Sequence, residues 1–204
     1  MKVPMVADGF YYAFGLCAAG AIVLYFTSPW FAIPLFLLAL FCLYFFRDPD
    51  RAIPDGPVVV SPADGKVVHI RPVDGSTRIS IFLNIFDVHV NRAPIAGKIT
   101  KIDYNKGKFL VASGEVASSE NERNVVTITG DGTKVTFSQI AGLIARRIVC
   151  YKKTGDSVGK GERIGLIKFG SRVDVFLGPE WDLTVKIGER VSCGSTVLAR
   201  RRQA

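Results

Sequence analysis

Histidine is nearly missing from this sequence: its 204 residues hold two, His69 and His89. A zinc site built on them would need further ligands at sensible spacing, and none stand out, so no metal is expected. Cysteine is sparse as well. Cys17, Cys42, Cys150 and Cys193 form no C-x-x-C or metal-type spacing and read as free thiols of a reducing compartment. The net charge is +8, yet the basic residues are scattered, with no aromatic–basic stripe and no nucleic-acid motif. That sets nucleic acid aside and favours a membrane surface or an acidic substrate as the anionic partner.

Charge is absent from one long stretch. Between Asp8 and Arg47 there is no charged residue, only "GFYYAFGLCAAGAIVLYFTSPWFAIPLFLLALFCLYFF". This is nearly twice the roughly 20 apolar residues that one helical span needs. Thr27-Ser28-Pro29 interrupts it, which predicts two shortish helices over 10–27 and 30–46, crossing as a hairpin or dipping in as a re-entrant pair. No small-residue cleavage site follows, so a signal peptide fits poorly. Lys2, Arg47 and Arg51 flank the ends, and the positive-inside tendency puts the rest of the chain on the cytoplasmic face of the cell membrane.

The organisation expected is therefore a membrane-anchoring helical segment over 1–46, a proline-interrupted linker over 47–57 and a β-rich domain over 58–204. Short apolar runs such as "KVVHIRPV", "TRISIFLNI", "NVVTITG" and "RVDVFLG", split by Gly, Asp or Asn, predict a mainly β compact barrel or sandwich. A short helix is expected around 138–147. "GDSVGKGERIGLI" from Gly155 aligns with "GERVSCGSTVLA" from Gly188, a turn–strand–turn–strand repeat that resembles the hairpins of lipoyl and biotinyl carrier domains.

One dipeptide breaks the β pattern. Gly170-Ser171 sits inside the apolar run "LIKFGSRVDVFLG", where a glycine weakens a strand. The pairs Gly75-Ser76 and Gly194-Ser195 are explained by turns. Gly170-Ser171 reads either as a bulge glycine followed by an ordinary serine, or as a site of self-cleavage. In the second reading the Ser171 hydroxyl adds to the Gly170 carbonyl and converts the peptide to an ester. Loss of the Ser171 α-proton then eliminates the Gly170 carboxylate. The resulting dehydroalanine releases ammonia to water and becomes a pyruvoyl ketone, which can form a Schiff base with an amine substrate.

Read together, "FFRDPDRAIP", "VVSPADGKV", "ISIFLNIFDVHVNRAPIAGKI", "NERNVV", "QIAGLIARRIVCY", "GDSVGKGERIGLIKFGSRVDVFL" and "VKIGERV" resemble, in order, the short bacterial-type phosphatidylserine decarboxylase proenzymes. The resemblance implies cleavage between Gly170 and Ser171. It also implies a covalent pyruvoyl cofactor made from Ser171, which forms the Schiff base with phosphatidylserine, and a heterodimer of fragments 1–170 and 171–204, with a higher oligomer left open. His89, in "FDVHVNRAP", matches a family histidine linked to acid–base work. Asp64, in "SPADGKV", matches an aspartate that assists cleavage. By itself Asp64 also reads as a turn carboxylate before Gly65, and His89 as a hydrogen-bonded structural histidine. Longer-chain relatives carry a second histidine where this chain has Arg92. Arg172 is a candidate for the substrate phosphate or carboxylate, or else a surface ion-pair partner. "NERN", Asn121 to Asn124, carries four polar residues with no chemical reading of their own. The function implied is decarboxylation of phosphatidylserine to phosphatidylethanolamine. The alternatives are a decarboxylase of another serine-headed lipid and a non-enzymatic, membrane-anchored carrier-like β-domain.

Overall fold

The computed structural model describes residues 5–110, 120–142, 147–168 and 171–202. The chain divides into two compact units, 1–50 and 51–204. In the first, the uncharged stretch forms α1 (Ala7–Phe26) and α2 (Pro29–Phe45). Pro29 opens α2 at a position where its missing N–H costs nothing. Small residues line the seam between the helices: Gly9, Ala13 and Gly20 of α1 and Ala32 and Ala39 of α2 are buried. A Cβ at Gly20 would stand 3.0 Å from the Phe36 ring, so the glycine is what lets the helices approach. Phe14, Tyr25 and Trp30 are largely exposed. At 20 residues, α1 is long and apolar enough to cross a membrane; α2 is shorter.

The second unit is mainly β, a curled half-barrel. In chain order its strands are β1 (Val58–Val60), β2 (Gly65–Val73), β3 (Ser76–Leu83), β4 (Val90–Arg92), β5 (Gly97–Asn105), β6 (Arg123–Gly130), β7 (Thr133–Ala141), β8 (Arg147–Cys150), β9 (Ser157–Val158), β10 (Arg163–Lys168), β11 (Ser171–Leu177), β12 (Trp181–Leu183), β13 (Arg190–Val191) and β14 (Val197–Arg201). Eight form one sheet in the order β13-β2-β3-β11-β7-β6-β5-β9; the others form the sheets β1-β14-β12 and β4-β10-β8. Side chains alternate across the large sheet. Ile79, Ile81 and Leu83 of β3, Val135 and Phe137 of β7, and Val173, Val175 and Leu177 of β11 fill one face. They share a core with Val59, Ile164, Ile167 and Leu198 of the two small sheets.

The short helix expected around 138–147 is not formed over its described residues. Residues 138–141 end β7 and 147 begins β8, while 143–146 lie outside the described residues. The local helix-like composition is overridden by pairing, since β7 is hydrogen-bonded to β11 on one side and β6 on the other.

The repeat is present, but its strands do not pair as hairpins. β9 and β13 cap the two edges of the large sheet, while β10 and β14 are the central strands of the two small ones. The repeated glycines keep matching backbones: φ is +99° and +91° at Gly155 and Gly188, and +77° and +76° at Gly161 and Gly194. The duplication also reaches further than the C-terminal pair. "SPADGKV" (61–67) realigns on "APIAGKI" (93–99), and the two segments exchange hydrogen bonds reciprocally. Val60 N–H donates to the Pro94 carbonyl at 2.9 Å and Arg92 N–H to the Pro62 carbonyl at 3.0 Å. One half is thus β1–β3 with β11–β14, and the other is β4–β10. The central strands β7 and β11 pair antiparallel between the halves, with Asp174 opposite Ser138.

Candidate active site

Ser171 opens β11 in the middle of the large sheet, in register with Leu83 of β3 and Ala141 of β7. It is fully buried. Among the described residues its Oγ has no hydrogen-bond partner, an arrangement that costs about 1–3 kcal/mol for a desolvated hydroxyl and calls for an explanation. Gly170 lies outside the described residues.

His89 directly precedes β4 and is buried, 1% exposed. Its position follows from strand pairing: β4 runs beside β10, with Val90 opposite Leu166, and the His89 carbonyl accepts the Ile167 N–H at 3.2 Å. The histidine is therefore held against the strand that leads into the Gly170-Ser171 segment. Its Nδ1 stands 2.9 Å from the Asp87 carbonyl. A carbonyl only accepts, so Nδ1 carries the proton and the lone pair of the neutral ring is on Nε2. The Asp87 carboxylate is engaged by the Asn84 N–H at 2.9 Å and by an ion pair with Arg190.

Asp64 occupies the turn between β1 and β2. Nη2 of Arg51 donates to both of its oxygens at 3.0 and 2.9 Å, and the Cys193 N–H donates to Oδ1 at 2.7 Å. The Cys193 Sγ reaches the Val90 carbonyl, beside His89, at 3.4 Å. The Asp64 carboxylate is thus committed to a guanidinium and a backbone amide, and it approaches the histidine segment through Cys193.

Arg172 points to the opposite face of the sheet from Ser171, by the alternation of the strand. It is fully buried and forms a two-point pair with Asp174, Nε–Oδ1 2.9 Å and Nη2–Oδ2 3.0 Å. A cavity of about 570 Å³ opens on that face, lined among others by Arg123, Lys134, Ser138, Asp174 and Phe176. Ser171, His89 and Asp64 are not among its lining residues. His69, on β2, is in register with Ser80.

Several polar residues near the site were not singled out from the sequence. Arg51 was read only as a charge flanking the apolar stretch, yet it is the partner of Asp64. Lys168 ends β10 three positions before Ser171 and is 6% exposed; a lysine inside "RIGLIKF" is the signal that could have found it. Asn91 and Gln139 are fully buried and hydrogen-bonded to each other at 2.8 Å. A buried amide in a strand is visible only once the strand's inward face is known.

The family pattern of phosphatidylserine decarboxylase matches residues 38–199. The chain belongs to the phosphatidylserine decarboxylase family. A phosphatidylserine decarboxylase proenzyme of Solibacter usitatus (strain Ellin6076) is 66% identical over 199 residues, covering 98% of each chain. Another, of Cupriavidus pinatubonensis (strain JMP 134 / LMG 1197), is 46% identical and covers 96% of this chain and 95% of its own. A third, of Desulfotalea psychrophila (strain LSv54 / DSM 12343), is 49% identical over 81% of this chain and 82% of its own. The names of these three relatives describe them as proenzymes.

Proposed function

We propose that this chain is a precursor that cuts itself between Gly170 and Ser171 and then decarboxylates phosphatidylserine to phosphatidylethanolamine. The observation that carries the reading is the fully buried, unpartnered Ser171 Oγ at the head of a central strand, in a chain that matches the proenzymes along nearly its whole length. Ser80 and Ser138 share that burial; what sets Ser171 apart is its place at the start of β11, directly after Gly170 in the sequence.

In the first step Oγ adds to the Gly170 carbonyl carbon, the Gly170–Ser171 amide bond breaks, and the Ser171 nitrogen takes the proton. Removal of the Ser171 α-proton expels the Gly170 carboxylate, and water displaces ammonia. His89 Nε2, with its lone pair set by the Nδ1–Asp87 contact, is the base we assign to these proton movements, and the acid that returns a proton to the substrate carbon after carbon dioxide leaves. Asp64 assists cleavage by holding the Cys193 backbone and Arg51 beside the histidine segment. Arg172 neutralises Asp174 within β11 itself, so the new N-terminal strand buries no unpaired charge there. The ketone left at residue 171 supplies the electron sink that decarboxylation of an amino-acid headgroup requires.

The fragments 1–170 and 171–204 stay associated as a heterodimer, because β11 of the small fragment is laddered on both sides, to β3 and to β7, and β14 is laddered to β1. Residues 1–46 act as the membrane anchor, 47–57 as a linker and 58–204 as the catalytic domain on the cytoplasmic face. The +8 charge favours an anionic lipid surface.

Intact-mass analysis of the purified protein tests the reading. Two chains are expected, the smaller beginning with a pyruvoyl-blocked residue 171, together with carbon dioxide release from phosphatidylserine vesicles. Ser171→Ala gives one uncut, inactive chain. A single uncut parent chain that still makes phosphatidylethanolamine overturns it. Turnover of another serine-headed lipid in preference to phosphatidylserine would move the substrate assignment alone.

A further inference from the structure

Three buried amides lie end to end through the core. Asn124 Nδ2 donates to Gln139 Oε1 at 2.9 Å, Gln139 Nε2 donates to Asn91 Oδ1 at 2.8 Å, and Asn91 Nδ2 donates to the Pro62 carbonyl at 3.4 Å. None is more than 1% exposed. Each link lands beside a residue of the proposed chemistry. Gln139 is on β7 in register with Val173, two residues along the inward face from Ser171. Asn91 is two residues from His89, on a strand of a different sheet. Pro62 is two residues from Asp64. A fourth amide extends the scaffold: Asn121 Nδ2 donates to the carbonyl of Ala141, the residue opposite Ser171, at 2.8 Å, and also to the Leu110 carbonyl at 2.8 Å.

We infer that the chain Asn124–Gln139–Asn91 is a positioning device that sets the spacing of the Ser171 strand, the His89 segment and the Asp64 turn, and that this is what the "NERN" segment is for. The inference rests on the proposed self-cleavage and decarboxylation. Apolar contacts between two sheets fix a separation loosely, since side chains can slide and repack. A hydrogen-bonded amide fixes both distance and direction. Packing alone gives no reason for amides here, because replacing mutually hydrogen-bonded buried groups with apolar groups of the same shape is close to neutral for stability. The Pro62 carbonyl would not be orphaned by their loss, since the Arg92 N–H already donates to it. What the amides add is a defined offset between strands of two sheets, and an attack on a neighbouring carbonyl depends on such offsets at sub-ångström scale.

The test uses the full chain in detergent and varies the length of the amide chain. Gln139→Asn shortens it by one methylene while keeping its chemistry. The pair Asn91→Gln with Gln139→Asn restores the total length. A third variant, Asn91→Leu with Gln139→Met and Asn124→Leu, removes the polarity altogether. Self-cleavage is timed by gel after cell-free synthesis, kcat and KM are measured on phosphatidylserine micelles for the matured fraction, and stability is read by urea unfolding in the uncut Ser171→Ala background. Expected are a tenfold or greater slowing of cleavage in Gln139→Asn, its recovery to within threefold in the length-restored pair, and a fall in kcat with KM within twofold. The apolar variant should keep near-parental stability and still cleave slowly. Parental cleavage in Gln139→Asn, no recovery in the restored pair, or a rate loss that simply tracks stability across the variants overturns the inference. Absence of cleavage in the parent chain would instead refute the proposed function, so the two failures are distinct.

Discussion

Replacing Arg172 with methionine is the sharpest test of how β11 carries the buried charge of Asp174. Arg172 is 0% exposed and Asp174 1%, and the guanidinium meets the carboxylate at two points. Removing one partner of such a pair strands a desolvated charge and costs about 3–5 kcal/mol. Two neighbours soften the loss. Ser80 and Ser138 flank Asp174 in register on either side, and both hydroxyls are buried without a partner among the described residues. Each can turn to donate to the carboxylate, which places the expected cost near the lower end, about 3 kcal/mol. With a urea slope of about 2 kcal/mol per molar, the unfolding midpoint should fall by roughly 1.5 M. The measurement belongs in the Ser171→Ala background, so that cleavage does not intervene, and with Trp30→Phe, so that buried Trp181 is the sole tryptophan reporter. Arg172→Met with Asp174→Met should recover most of the loss, because paired apolar replacements of a buried ion pair are often neutral or better. In a cleavage-competent chain this double variant should still cut itself and keep its KM for phosphatidylserine. A midpoint shift under 0.5 M in the single variant refutes the view that Asp174 depends on Arg172 as its charge partner. So does a tenfold rise in KM in a stable double variant, which would make Arg172 a substrate ligand instead.

Asp64→Ala should fold, because Ala96 occupies the matching place in the other half of the duplication, yet it frees Arg51 and the Cys193 N–H and should slow self-cleavage at least tenfold, read by intact mass over time. Gly65→Ala should be insoluble or lose several kcal/mol: φ is +145° and a Cβ would stand 2.2 Å from the Phe82 carbonyl oxygen, with no flexible group to give way. Glu162 provides the pH test. The Lys152 ammonium, and then the Gly159 N–H, hold its carboxyl below the usual range. Its contribution to stability is therefore present above the unfolded value and disappears as pH falls through the lower folded one. Urea midpoints taken from pH 6 down to pH 3 should drop less steeply in Glu162→Gln than in the parent; parallel curves would show that the contact contributes nothing.

What could be read from the sequence, and what could not, divides along the range of the interactions. The helix break at Thr27-Ser28-Pro29, the Asp74-Gly75 turn and the Gly-Ser anomaly are local, and each carries its signature in adjacent residues. Asp74 and Gly75 indeed turn at φ +47° and +73° between paired strands. The same locality misled the expectation at 138–147, whose residues 138–141 are paired on both sides as the end of β7. The repeat was visible, but its pairing was not. Whether the second strand of a turn–strand–turn–strand unit folds back on the first or leaves for another sheet is decided by partners as distant as Val90 and Val58. Arg172 illustrates the limit most directly: alternation assigns it to the face opposite Ser171, but only the fold shows that this face is buried there and that Asp174 fills the guanidinium.

The duplication explains why a site of this kind can sit at the centre of a sheet. Two similar halves bring their central strands, β7 and β11, side by side, so the strand that begins at Ser171 has ladders on both flanks and would survive the proposed break at its own head. A cut at an edge strand such as β9 or β13 would release it, since each is two residues long and paired on one side. The matching turns then diverge in chemistry while keeping their backbone. Gly65 and Gly97 both approach a carbonyl of the neighbouring strand too closely for any side chain, but one turn carries Asp64 and the other Ala96. Fold symmetry thus supplies a rigid frame twice over, and one half uses it to hold a carboxylate, a guanidinium and a histidine segment near the strand that the proposed cleavage would open.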